Sequence, residues 1–90
     1  MDDLYLEIIT PEEILYEGYV GLLEVPGTSG RFVLLRDHAS IISTLSSGDV
    51  RVIGKHGHEN HFRCKEGVLE CHDNHTVVLM NEMPDEDESK

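Results

Sequence analysis

Six histidines in a chain of 90 residues are the side chains best suited to metal chemistry. His56, His58 and His61 lie close together, and His72 and His75 follow on a later segment. A zinc site requires three or four ligands that converge on one point. In an extended strand His58 and His61 face opposite sides, so a bulge would be needed to bring them together. A small histidine-rich metal-binding β module is therefore an alternative, but the sequence favours exposed loop histidines and predicts no metal ligands.

Two other groups of residues have the composition of a reactive site. Asp37 and His38, with Ser40 or Ser43, supply the residue types of a hydrolytic triad, but adjacency in sequence does not build a triad, and no nucleophile elbow is present. Residues 26–30, Pro-Gly-Thr-Ser-Gly, have the glycine content of a phosphate-binding loop. No lysine follows them and no long helix begins there. We therefore predict no catalytic residues and no cofactor.

The two cysteines flank a turn-like segment, residues 65–67. A hairpin around that turn would pair Cys64 near Val68 and Cys71 near His61. The two sulfur atoms would then lie on different rungs, too far apart for easy formation of a disulfide bond. Both cysteines alternate in phase with apolar neighbours, and we therefore expect two small buried hydrophobic side chains.

The charge balance excludes several functions. Eighteen acidic and seven basic side chains give a net charge of -11, which argues against binding nucleic acid or adsorbing to an anionic membrane. No apolar run approaches the roughly 20 residues needed to span a bilayer, and the start, Met1-Asp2-Asp3, is unlike a secretion signal. We expect a soluble, cytoplasmic protein without direct lipid insertion.

The negative charge is unevenly distributed. Residues 84–90 are rich in acidic side chains and contain no apolar one, so we expect a disordered acidic tail. The first 45 residues carry eight acidic side chains and only two arginines, Arg31 and Arg36. An acidic face on this half could steer a basic partner, or it could be ordinary surface.

Hydrophobic residues alternate with a period of two along most of the chain. Thr10 and Glu13 resemble a capping box, but Gly18 follows too soon for a helix, so a turn is favoured there. Residues 73–74, Asp-Asn, are typical of a two-residue hairpin turn. The runs typical of strands are 4–9, 14–19, 20–25, 32–35, 41–45, 50–53, 58–64, 68–72 and 75–80. Nine or ten short strands predict one all-β domain, a β-sandwich or flattened barrel, over residues 1–83.

The order of several motifs is similar to that in the epsilon subunit of F-type ATP synthases. The similarity covers about residues 4–82. The matching segments are LEIITPEEILYEG at 6–18, VPGTSG at 25–30, His38-Ala39, IISTL at 41–45, GDVR at 48–51, GVLE at 67–70 and NHTVVL at 74–79. Each motif is weak alone, but their order and spacing together are specific.

This resemblance implies a ten-stranded β-sandwich with two five-stranded sheets. It implies a non-catalytic rotor subunit that links the gamma subunit of the central stalk to the membrane c-ring, so that proton flow is coupled to ATP synthesis. The protein would then be a peripheral part of the complex on the cytoplasmic face of the cell membrane. A stiff β-sandwich suits this task because it moves as one body under torque.

Carried over by position, the resemblance implies two contact surfaces. The implied c-ring contacts are Gly30, Arg31, Arg36 and Asp37. The implied gamma contacts are Thr10, His38, Ile42 and Ser43. An exposed Ile41-Ile42 pair would be a liability without a partner, although strand alternation buries one of the two residues in any case.

The sequence departs from the family pattern in three places. Arg31 replaces a residue that is usually acidic, Val33 replaces a usual glycine, and residues 36–40 read Arg-Asp-His-Ala-Ser where the family has Pro-Gly-His-Ala-Pro. These changes alter the charge of the ring-facing loops. The family's two-helix hairpin is absent after Glu82, so we expect neither inhibition by that hairpin nor ATP sensing, unless the chain is a fragment.

Overall fold

The computed structural model describes residues 3–84 and contains seven strands in that range. The predicted acidic tail lies outside the described residues from position 85 onward. The strands are β1 (Leu4–Ile9), β2 (Ile14–Gly27), β3 (Gly30–Leu34), β4 (Ile41–Leu45), β5 (Gly48–Gly54), β6 (Glu59–His72) and β7 (His75–Glu82). The prediction of an all-β domain is confirmed.

The predicted number of strands is wrong, because two pairs of predicted strands are each one continuous strand. Residues 14–19 and 20–25 both belong to β2, and residues 58–64 and 68–72 both belong to β6. The supposed turn at 65–67 is a β-bulge: the pairing of β6 with β7 shifts between Cys64 and Glu66. A similar shift in β2 lies between Val20 and Leu22. A bulge bends a strand without ending it.

These two bent strands divide the molecule into two layers. One layer, which we call the four-stranded sheet, contains β3, the second half of β2, β5 and the first half of β6. The other, the five-stranded sheet, contains β4, the second half of β6, β7, β1 and the first half of β2. Because β2 and β6 belong to both, hydrogen bonding is continuous through all seven strands.

The core lies between the two sheets and follows the alternation of each strand. In β1 the buried and half-buried positions alternate strictly. The fully buried large side chains are Leu4, Leu6, Ile8, Val20, Leu23, Val25, Leu34, Val50, Val52, Leu69 and Val78. Burial of such a side chain stabilises a fold by about 1.5–3 kcal/mol, so this core is the main source of stability.

The two cysteines are buried and not bonded to each other, as the alternation predicted. The predicted pairing is wrong, however, because no hairpin separates them. Cys64 pairs with Gly48 and Glu82, and Cys71 pairs with residues of β4 and β7. Burial raises the pKa of the Cys64 thiol, which keeps it protonated and unreactive.

The turns cluster at two ends of the sandwich. The first end contains the tight turn at Thr28-Ser29 and the turn from Thr10 to Glu13, where the Thr10 hydroxyl donates to the Glu13 carbonyl at 3.1 Å. The second end contains the two-residue turn at Asp73-Asn74, whose φ angles of 52° and 60° are those of a type I′ hairpin. The turns predicted at Thr10 to Glu13 and at Asp73-Asn74 are confirmed.

Gly67 allows β6 and β7 to approach closely just after the bulge. A Cβ atom at this position would lie 2.5 Å from the Leu79 carbonyl oxygen and 2.8 Å from the Met80 Cβ. Backbone on the neighbouring strand cannot move away without breaking the ladder. Only glycine therefore fits here, and the predicted turn glycine is in fact a packing glycine.

We expect Gly67→Ala to reduce the free energy of unfolding by about 1–3 kcal/mol, because the added methyl group forces the two strands apart. Gly21→Ala is the matched control, since a Cβ there meets only carbonyl oxygens at 3.6 and 3.7 Å. Denaturant unfolding of both variants measures the difference. Equal stability of the two variants would contradict the close approach.

Candidate interaction surfaces

The outer face of the five-stranded sheet carries a row of apolar side chains. Ile9 of β1 pairs with Ile14 on one side and with Leu79 on the other, and Leu79 pairs with Val68. We call these four residues the apolar row. Ile14, Leu79 and Val68 are 54%, 52% and 40% exposed. A contiguous exposed row of this kind marks an interaction site, whereas single exposed apolar residues need no explanation.

The apolar row borders a shallow groove at the first end of the sandwich. The groove has a volume of about 530 Å³, and its apolar lining includes Ile9, Pro11, Val68 and Leu79. Its polar lining residues are bonded within the protein: the Thr10 hydroxyl bonds within its own turn, and Asn81 Nδ2 donates to the Glu66 carboxylate at 3.0 Å. The groove therefore suits apolar side chains from another molecule.

A second row runs beside the first, two residues away on β1, β6 and β7 and three residues away on β2, where the pairing with β1 shifts by one residue. It contains Glu17, Glu7, Val77, Glu70 and Ile42, which pair in this order across five strands. We call it the acidic row. Ile42, at its end, is 75% exposed, the largest value among the large apolar side chains of the described residues. The five-stranded sheet therefore presents hydrophobic and acidic side chains side by side.

The outer face of the four-stranded sheet differs, because its charges are paired. Glu24 accepts hydrogen bonds from Arg31 at 3.2 Å and from Arg51 at 3.0 Å. Arg51 also donates to Glu59 at 2.9 Å. The Arg31 and Arg51 guanidinium groups lower the pKa of the Glu24 carboxyl. This ladder of alternating charges is paired within the protein.

His61 ends the ladder between two carboxylates. Its Nδ1 lies 2.6 Å from Asp49 Oδ2, and its Nε2 lies 2.8 Å from Glu59 Oε2. Both ring nitrogens can donate only when the imidazole is protonated. The hydrogen bonds to Asp49 and then to Glu59 raise the pKa of His61 above its ordinary value.

The loop between β3 and β4 is fixed to the second end by two reciprocal hydrogen bonds. The Asp37 backbone N–H donates to Asn74 Oδ1 at 2.6 Å, and Asn74 Nδ2 donates to Asp37 Oδ1 at 2.9 Å. Asp37 has a φ of 67°, a left-handed conformation that Asp tolerates better than most residues. The loop that carries Arg36 and His38 is thus anchored to the turn of the β6–β7 hairpin.

The residues implied to contact gamma are only partly brought together. Thr10 lies by the groove at the first end, and Ile42 lies on the same outer face. Ser43 faces the inner side of β4 in the same phase as Ile41 and Leu45, and its hydroxyl donates to the Thr44 carbonyl. His38 lies in the loop at the second end. Alternation half-buries Ile41 and exposes Ile42, as expected.

The residues implied to contact the c-ring fall into two groups. Gly30 and Arg31 begin β3 beside the Thr28-Ser29 turn, and Arg36 and Asp37 follow the end of the same strand. The two ends of this five-residue strand are roughly 13 Å apart at about 3.3 Å per residue. Arg31 is held by Glu24, whereas Arg36 lies 3.9 Å from its neighbour Asp37.

The histidines are spread over different parts of the surface. Within residues 3–84 no three His, Cys, Asp or Glu side chains are placed to hold a metal ion. His56 lies in the β5–β6 turn, and His61 is occupied by two carboxylates. His72 contacts Asp73, and His75 lies 3.4 Å from Glu7. The triad residue types, Asp37, His38 and Ser40, share one exposed loop in which Asp37 bonds Asn74 and His38 Nδ1 lies 2.7 Å from the Ala39 carbonyl.

Sequence analysis missed the residues that form the apolar row. Its signal was present: residues 76–80 are Thr-Val-Val-Leu-Met, a strand with apolar side chains on both faces. In a half-exposed antiparallel sheet the outer positions are normally polar. An apolar residue such as Leu79 at an outer position therefore indicates a covered face.

The fold and these surfaces define a class of protein: a small β-sandwich with an exposed apolar row on one outer face. Comparison with known proteins is more specific. The family described as "ATP synthase, Delta/Epsilon chain, beta-sandwich domain" matches residues 3–85, and the chain belongs to this family. In the described part of the chain, no helix is long and apolar enough to cross a bilayer.

Two relatives carry the description "ATP synthase epsilon chain". The protein from Campylobacter hominis is 34% identical over 82 residues, which are 90% of this chain and 63% of that protein. The protein from Chlorobaculum tepidum is 31% identical over 78 residues, 87% of this chain and 89% of the relative. The chain therefore spans less than two thirds of the first relative and most of the second.

Two solved structures share the fold. A chain in the mitochondrial ATP synthase of Euglena gracilis, solved with its c-ring, superposes with a TM-score of 0.83 at 15% identity, over 89% of this chain and 51% of that one. A chain in the central stalk and c-ring of the Tetrahymena thermophila enzyme gives 0.76 at 13% identity, over 87% and 63%. The β-sandwich predicted from the sequence is confirmed.

We expect the contribution of His61 to stability to depend on pH. Its pKa is raised in the folded state, so its contribution is complete below the unfolded value of about 6.5 and is lost as pH rises through the folded pKa. His61→Asn should therefore destabilise the protein more at about pH 5.5 than at about pH 8.5. Thermal unfolding at both values measures this. His56→Asn is the control. An equal change of stability with pH in both variants would contradict the predicted role of His61.

Proposed function

We propose that this protein is a non-catalytic rotor subunit of an F-type ATP synthase. In this role it links the gamma subunit of the central stalk to the membrane c-ring, so that ion flow is coupled to ATP synthesis. Membership of the delta/epsilon family supports the assignment. The observation that carries it is the exposed apolar row, which gives the protein a surface for a permanent partner.

The gamma subunit is the proposed partner of the outer face of the five-stranded sheet. Thr10 and Ile42, both implied as gamma contacts by the resemblance, border this face, and the apolar row lies between them. His38 would extend the contact at the second end. Ser43 would contribute through the edge of β4, because its side chain points to the other side of the strand.

The c-ring is the proposed partner of the surfaces near Gly30 and Arg31 and near Arg36 and Asp37. Arg31 is positioned by Glu24 and Arg36 by an anchored loop, so both guanidinium groups are presented from supported backbone. The protein would lie at the cytoplasmic face of the cell membrane through the complex and not by inserting into lipid. A ring loop that offers a carboxylate or a carbonyl oxygen would share the Arg31 guanidinium group with Glu24.

We expect Val68→Asp to weaken binding to the gamma subunit of the same organism by about tenfold or more, because it places a charge in a desolvated contact. Val33→Asp is a matched control: Val33 is also 40% exposed, but it lies on the outer face of the four-stranded sheet. Co-expression followed by titration of purified partners measures both. Ile42→Glu should weaken binding in the same way and leave the fold intact.

Full gamma binding by Val68→Asp and Ile42→Glu would exclude this face as the interface. A loss of binding in Val33→Asp of the same size would show that the effect is not specific to the face. Unfolding curves of each variant separate loss of binding from loss of fold.

Arg31→Gln and Arg36→Gln test the two proposed ring contacts separately, because the residues lie at opposite ends of β3. Each substitution removes one positive charge without adding a like charge beside Glu24 or Asp37. We expect Arg31→Gln to reduce binding of the gamma complex to c-ring membranes by about three- to tenfold, with a smaller effect at high salt. Co-sedimentation measures the bound fraction. Binding unchanged in both variants would remove both residues from the contact.

A further inference from the structure

The acidic row places carboxylates against one another without a compensating cation. Glu7 and Glu17 are directly opposite on β1 and β2, and Glu70 follows beyond Val77 in the same row. Like charges opposite each other in a sheet are destabilising. The nearest titratable base is His75, whose Nε2 lies 3.4 Å from Glu7. The row therefore carries an unbalanced negative charge on the free protein.

The strand segments that form the five-stranded sheet, with β6 counted from Glu66 onward, contain no lysine or arginine. Arg31, Arg51 and Arg63 belong to the four-stranded sheet, and Arg36 lies in the anchored loop. Lys65 is the bulge residue of β6, and Lys55 lies in the turn after β5, 3.5 Å from Asp3. The charge difference between the two outer faces therefore follows from where the strands place the residues.

The geometry of the rows defines a template for the partner. Four neighbouring strands at about 4.8 Å give the apolar row a length of roughly 14 Å. The acidic row lies about 6.7 Å to one side of it, which is two residues along β1, β6 and β7. A partner that covers the apolar row brings its own flank over Glu7 and Glu70. Burying those carboxylates without cations would cost more than the apolar contact contributes.

We infer that the partner segment on this face carries an apolar stripe bordered on one side by lysine or arginine. That basic border lies over the acidic row, on the side toward the Asp73-Asn74 turn. The inference rests on the proposed function, since the gamma subunit is taken as the partner. It adds the chemistry and the orientation of the contact: apolar side chains fix the position, and opposite charges steer the approach.

The test neutralises the acidic row without altering its shape. In Glu7→Gln/Glu70→Gln, glutamine keeps the size of each side chain and can still bond His75. Glu12→Gln/Glu82→Gln is the control with the same change in net charge, because both residues lie in a different surface depression, beside Phe62 and Arg63. Association and dissociation rates with the cognate gamma subunit are measured by surface kinetics at about 50 mM and 500 mM salt.

We expect the row variant to associate about fivefold more slowly at low salt, with the difference nearly lost at high salt. The control should stay within about twofold of the wild type under both conditions. Unchanged or faster association of the row variant would overturn the basic border. If Val68→Asp binds gamma as tightly as the wild type, the proposed function fails at this face. If Val68→Asp binds gamma more weakly but Glu7→Gln/Glu70→Gln associates at the wild-type rate, the interface stands and only the inferred basic border of the partner is wrong.

Discussion

The structure depends on two strands that belong to both layers of the sandwich. β2 and β6 each run for 14 residues and bend at a bulge, so that one half lies in the four-stranded sheet and the other half in the five-stranded sheet. A sheet interrupted at these points would expose unpaired backbone at both breaks. Continuous pairing instead ties the two layers into one hydrogen-bonded body, whose close-packed interior resists deformation.

This arrangement also decides what each outer face can do. On the four-stranded sheet, Glu24, Arg51 and Glu59 reach one another across neighbouring strands, so the charges are neutralised within the protein. On the five-stranded sheet, the cross-strand neighbours of Leu79 and Val77 are apolar or acidic. One face therefore pairs Glu24, Arg51 and Glu59 within the protein, while the other presents apolar and acidic side chains. That difference is the structural basis for proposing the gamma subunit as the partner of the five-stranded sheet.

Much of the fold could be predicted from the sequence. Alternation identified the strand segments, and the Asp73-Asn74 turn and the turn at Thr10 were placed correctly. The bulge at Lys65 could not be distinguished from a turn, because glycine and charged residues are typical of both. Gly67 reads as a turn residue, yet its role is to admit the backbone of β7. The absent Cβ matters only because Leu79 and Met80 lie opposite.

The sequence by itself determined that the chain is all β and that its cysteines are buried, because alternation and residue type are local properties. Alternation also indicated that one residue of the Ile41-Ile42 pair is exposed, and the resemblance implied Ile42 as a contact residue. Only the tertiary structure decided that Ile9, Ile14, Val68 and Leu79, which are up to 70 positions apart in the chain, form one row. The pairing register between strands determines which distant residues lie side by side. That register follows from the bulges and turns of the whole sandwich and not from any single segment.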